Sequence, residues 1–100
     1  MPDKLVRDLI PELIIKDGFK PKTRILSDEE YLYELDKKLI EEVNEYLEAN
    51  DLDELCDIIE VIMAIADARG TGFNDIEQKR NDKLQKRGGF KQKIFLYEDK

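Results

Sequence analysis

Lys38-Leu-Ile-Glu-Glu-Val-Asn-Glu45, followed after a short gap by Glu54-Leu-Cys-Asp57, is the stretch whose reading decides the fold. Glu42 and Glu45 are three residues apart, as are Glu54 and Asp57, and residues at that spacing share one face of a helix. Two consecutive helices therefore carry paired carboxylates near their common turn. Facing each other across an antiparallel hairpin, such pairs converge oxygen ligands of the kind Mg²⁺ prefers.

The flanking residues support that hairpin. Ser27-x-x-Glu30 is a capping box that starts a long helix, and Leu32, Leu35, Leu39, Val43, Tyr46 and Leu47 recur at helical spacing as its apolar stripe. Glu42 falls inside the stripe, three residues after Leu39 and four before Tyr46. Packing the stripe carries a carboxylate inward. An unpaired buried carboxylate is strongly unfavourable, and a cation is the natural compensation. Glu45 lies on the flank beside it and Glu41 on the outer side.

The chain turns at Asn50, and Asp51-x-x-Glu54 resembles a second capping sequence. The following helix is apolar nearly all round through Leu55, Ile58, Ile59, Val61, Ile62 and Ile65, the signature of a central bundle helix. Glu54 and Asp57 head otherwise apolar columns within it. Gly70 ends this helix, Asn74-x-x-Glu77 begins a third, and Gly88-Gly89 stops that one. Ahead of the hairpin, Leu5 to Ile15 reads as an arm or short helix with Pro11 in its first turn and Gly18 as its stop. Short β segments are expected near residues 22–26 and 93–97, pairing with each other. The expected fold is all-α: an antiparallel helix hairpin plus a third helix in a single domain over residues 1–100, completing a four-helix-bundle core on dimerisation.

One hundred residues bury only a modest fraction of their surface alone, so self-association is expected. The net charge is −7, an unfavourable surface for duplex DNA or RNA. That charge is uneven: residues 1–78 hold 9 Lys/Arg against 21 Asp/Glu, while residues 79–93 hold 7 basic residues against Asp82 alone. An acidic body beside a compact basic segment suits metal plus polyphosphate. The same segment also reads as a solvated helix face, and both readings stay open. Cys56 is the single cysteine, which excludes a disulfide framework within the chain and fits a reducing compartment. No apolar run approaches the ~18 residues of a membrane span, and an N-terminus with Asp3 and Asp8 is unlike a secretory signal; a cytoplasmic location is expected. The complete lack of histidine removes imidazole acid–base catalysis and His-ligated zinc. Chemistry here rests on carboxylates, Lys/Arg and cations: Mg²⁺ held by Glu42, Glu45, Glu54 and Asp57 would bridge phosphate oxygens and activate water for in-line attack. Glu41 is placed for supporting or proton-accepting work.

Glu-Glu-x-x-Glu followed by Glu-x-x-Asp resembles the all-α nucleoside triphosphate pyrophosphohydrolases, the MazG-like superfamily. More narrowly, Lys4-Leu-Val-Arg-Asp-Leu-Ile-Pro-Glu12, Lys38 to Glu45, Leu55 to Val61 and Lys86-Arg-Gly-Gly-Phe90 look like its phosphoribosyl-ATP-pyrophosphohydrolase-like subgroup. The resemblance implies Mg²⁺-dependent (Mn²⁺ as substitute) hydrolysis of a nucleoside triphosphate between the α and β phosphates, in a housecleaning role, by a homodimer or homotetramer. It places metal ligands at Glu42, Glu45, Glu54 and Asp57, with Glu41, Glu42 and Glu45 as the catalytic acids. Arg80, Asn81, Lys83, Arg87 and, in the arm, Arg7 become substrate-binding candidates. One departure is the gap of eight residues between Glu45 and Glu54, shorter than in MazG proper. Competing expectations are true phosphoribosyl-ATP pyrophosphohydrolase, a noncatalytic helical binding module, and a nucleotide sensor without turnover.

Overall fold

The computed structural model describes residues 3–98, and its regular structure is entirely helical: α1 (Ile10–Lys16), α2 (Asp28–Ala49), α3 (Leu52–Ala68) and α4 (Gly72–Arg87). Each boundary has a local cause. The hydroxyl of Ser27 accepts from the Glu30 N–H at 3.2 Å while the Glu30 carboxylate accepts from the Ser27 N–H at 3.1 Å, closing the capping box that starts α2. Arg24 also binds Glu30, at 2.6 Å, and together with the cap it holds that carboxyl down at about 2. Asn50, in the left-handed region at φ 52°, ends α2 by turning the chain sharply. Pro11 sits in the first turn of α1, where its missing N–H costs nothing.

The C-terminus of α3 closes in a Schellman motif: the Thr71 N–H donates to Ala66 O and the Gly70 N–H to Asp67 O, with Gly70 at φ 78°. This tight turn starts α4 at Gly72, two residues before the Asn74 expected from the sequence. Asp51 caps α3 by accepting from the Asp53 N–H, but the reciprocal half of a capping box is not formed there. Glu54 turns its carboxylate inward instead, and its Oε2 is buried.

The helices meet in series. α3 packs along α2 as the hairpin partner and also touches α4, whereas α2 and α4 do not pack on each other. Leu35, Val61 and Ala66 form the small buried core of that seam, and Glu42 is buried with them. The apolar stripe of α2 is only partly covered: Leu35 is 2% exposed, but Leu47 is 63% exposed, and Ile40 beside the stripe is equally open. The accessible surface of 9597 Å² exceeds the roughly 5900 Å² expected of a compact monomer of 11.8 kDa.

The β segments expected near residues 22–26 and 93–97 are absent; among the described residues there is no strand. Both stretches are irregular and unpaired. Pro21 removes a backbone donor next to the first, and in the second Lys93 turns into the left-handed region at φ 60°, where its N–H bonds back to Phe90 O. Ile25 at 96% and Phe95 at 77% exposure confirm that neither stretch has a sheet neighbour.

Replacing Ser27 with Ala should lower the unfolding free energy by about 1 kcal/mol through loss of the cap. Urea denaturation followed by circular dichroism would show this as a lower midpoint with an unchanged slope.

Candidate metal centre

Helix α2 brings Glu41, Glu42 and Glu45 to one place, and α3 adds Glu54 and Asp57. Two overlapping triads result, Glu41–Glu42–Glu45 and Glu42–Glu54–Asp57, and within each triad the nearest carboxylate oxygens lie within 4.8 Å of one another. Glu42 belongs to both. The hairpin register has thus done what the i, i+3 spacing required, aligning the acidic turn of α2 with the first turns of α3.

Glu42 is the most buried member, at 6% exposure. Its Oε1 lies 3.4 Å from the Lys38 ammonium one helical turn earlier, while its Oε2 is buried with no hydrogen-bond partner. Glu54 Oε2 is in the same condition. Two orphaned carboxylate oxygens in one cluster are costly without a compensating charge. Hard anionic oxygens at this density form the donor set that divalent cations such as Mg²⁺ or Mn²⁺ take, so the residues present fit such an ion.

The electrostatics divide the acids into two kinds. Loss of water pushes the Glu42 carboxyl above its ordinary value, and the neighbouring Glu45 and Asp57 charges push it further, with Lys38 opposing. Glu54 is also raised, by desolvation first and then by Asp57, Glu42 and Asp51. Glu41 goes the other way: burial favours its protonation, but the Lys38 hydrogen bond and the Lys38 and Lys4 charges outweigh burial and hold it low.

Basic side chains border the cluster. Lys38 reaches Glu41 at 3.2 Å, Lys4 reaches Glu41 at 3.5 Å, and the Arg7 guanidinium donates to Asp57 Oδ1 at 2.6 Å. The segment Asp3–Leu9 therefore runs over the hairpin, contacting α2 through Lys4 and α3 through Arg7. Of the substrate-binding candidates, only Arg7 is brought to the acids. Asn81, Lys83 and Arg87 are exposed on α4, and Arg80 is bound to Glu77 on its own helix. Among the described residues no α4 side chain pairs with the cluster.

Lys4 and Lys38 were not among the candidates read from the sequence. Lys38 was legible there, because it stands three and four residues before Glu41 and Glu42 and must share their face. Lys4 had no such signal, since nothing in its spacing says where the arm lies.

No family profile and no solved structure matches the chain. A curated relative, an uncharacterized protein of Mycolicibacterium smegmatis, is 54% identical over 50 residues, which is 50% of this chain and 51% of that protein. The chain thus spans about half the length of the curated relative it matches.

A carboxyl raised in the folded state binds more protons there than when unfolded, so its contribution to stability falls as pH rises through the folded value. Glu42→Gln removes the repulsion without needing a proton. Its stability gain over the metal-free wild type should therefore be largest at neutral pH and shrink as pH falls towards 4.5, the ordinary glutamate value. Paired thermal melts in EDTA between pH 4.5 and 8 measure that difference; a gain that grew on acidification would contradict the assignment.

Proposed function

We propose that the chain is a divalent-cation-dependent nucleotide pyrophosphohydrolase of the MazG-like kind, cleaving a nucleoside triphosphate between its α and β phosphates. One observation carries the reading: a carboxylate buried in the apolar seam of a helix hairpin, one oxygen unpartnered, ringed by four further acids from two helices. A binding module solvated by its acidic surface has no use for that oxygen.

In this reading Glu42, Glu45, Glu54 and Asp57 hold Mg²⁺ or Mn²⁺. Bound cations of this type neutralise phosphate charge and acidify water, the chemistry phosphoanhydride hydrolysis requires. Lys38 keeps Glu42 and Glu41 in position. Glu41, held ionised by Lys38 and Lys4, is a weak base, which suits it to orient the attacking water through a hydrogen bond rather than to take its proton. Lys83 and Arg87 on the exposed face of α4 are left to meet phosphate oxygens.

The working unit is a homo-oligomer. Exposed Ile40, Val43 and Leu47 supply an apolar face on α2 for a partner copy to cover. No helix among the described residues is long and apolar enough to cross a membrane.

Pyrophosphate release, screened over common and damaged nucleoside triphosphates and phosphoribosyl-ATP, should require Mg²⁺ or Mn²⁺ and stop in EDTA. Glu42→Gln should reduce kcat/KM by about 100-fold or more. Mg²⁺ at 100 times its Kd should stabilise the wild type by about 2.7 kcal/mol and leave the Glu42→Gln melting temperature unchanged. Nucleotide binding with no product across the panel would instead indicate a sensor, and cation-independent melting would refute the metal centre. Sedimentation equilibrium should give at least twice the 11.8 kDa chain mass.

A further inference from the structure

The arm that crosses the hairpin does more than anchor the N-terminal segment. Its two cations sit on two different helices of the acidic cluster: Arg7 donates to Asp57 Oδ1 at 2.6 Å, and Lys4 lies 3.5 Å from Glu41 Oε1. Asp57 belongs to the triad it forms with Glu42 and Glu54, the triad that contains both orphaned buried oxygens. Arg7 thus satisfies a half-buried member of the triad and leaves Glu42 Oε2 unpartnered. The Arg7 side chain is 54% exposed, so the pair lies on the solvent-facing side of the cluster.

Resting on the metal-centre reading, we propose that residues 3–9 form a cationic strap that competes with the divalent ion: Arg7 holds Asp57 while the site is metal-free and releases it when the cation binds. The argument is one of charge and geometry. A carboxylate that accepts a 2.6 Å bond from a guanidinium is a poorer ligand than a free one, and the guanidinium charge repels an approaching cation. Five carboxylates, Glu41, Glu42, Glu45, Glu54 and Asp57, are balanced by only three cations, Lys4, Arg7 and Lys38. The remaining charge of −2 attracts a divalent ion. Once that ion is in place, Asp57 no longer needs Arg7, and the freed guanidinium faces the open side with its five donors turned to phosphate.

The strap is built to be displaced. Leu9, its last residue, is 63% exposed, and α1 beyond has no buried residue and packs on no other helix. The ion pairs of Lys4 and Arg7 with Glu41 and Asp57 are both at least one-third exposed on the arm side, a setting in which such pairs are weak and open readily.

The test uses Mn²⁺ alone, without nucleotide. Calorimetric titration of Arg7→Gln should show Mn²⁺ binding about threefold or more tighter than wild type, the size of an exposed ion pair removed from competition. Hydrogen exchange at the Ile10 amide, which donates to Arg7 O at 3.1 Å, should speed up when Mn²⁺ saturates the wild type, and should already be fast in Arg7→Gln. Tighter binding in the variant together with metal-induced release of the arm supports the strap. Equal or weaker Mn²⁺ binding by Arg7→Gln, with the Glu42-dependent site intact in wild type, overturns it and leaves the metal centre standing. Absence of Mn²⁺ binding in both proteins overturns the strap and the metal centre together. Arg7→Lys, which keeps the charge but loses the planar fork, should bind Mn²⁺ with an affinity between the other two.

Discussion

The position of the Glu42 carboxylate is the constraint around which the rest of the molecule is arranged. Its backbone belongs to the apolar stripe of α2, so packing α2 against α3 buries it whether or not a partner is available. Lys38 satisfies one oxygen from the same helix; the other is buried without a partner, and Glu54 and Asp57 of α3 stand close to the same carboxylate. Moving it to solvent would rotate the stripe and uncover Leu35, the best-buried apolar residue of the seam. The hairpin therefore cannot pack without burying a carboxylate. Carboxylate burial and hydrophobic collapse are coupled at one residue.

That coupling is set against a thin core. Among the described residues Leu35, Val61 and Ala66 are the buried apolar ones, and no large side chain is completely enclosed. In the proposed oligomer a partner copy would cover Ile40 and Leu47, and in the proposed metal centre a cation would cancel repulsion among five carboxylates. Local devices add smaller increments: the Ser27–Glu30 capping box and the Schellman closure at Gly70 define helix ends without depending on the core.

The charge distribution has two layers of basic residues with different environments. Lys4, Arg7 and Lys38 are already engaged with the acids. Lys83 and Arg87 stand exposed on α4. A polyphosphate with its cations would thus encounter carboxylates at the centre and guanidinium or ammonium groups around them. The protein's own strap is a minimal version of that arrangement, a cation bridging to a carboxylate at the mouth of the site.

Sequence alone determined the helical class, the hairpin, the Asn50 and Gly88 ends, the inward direction of Glu42 and the pairing of acids on each helix, because all of these follow from contacts within a few residues or from a 3.6-residue period. It misjudged residues 22–26 and 93–97, since β-branched and aromatic residues such as Thr23, Ile25, Ile94 and Phe95 form a strand only if a neighbour supplies hydrogen bonds, and that is a long-range property. It was equally silent on Lys4, whose partner Glu41 lies 37 residues away, and it could not place Arg7 against Asp57, 50 residues away. Only the tertiary structure decided those contacts and the register that merges two acidic pairs into one cluster. Period and capping are local, whereas the meeting of an arm with a distant helix turn depends on how the whole chain packs.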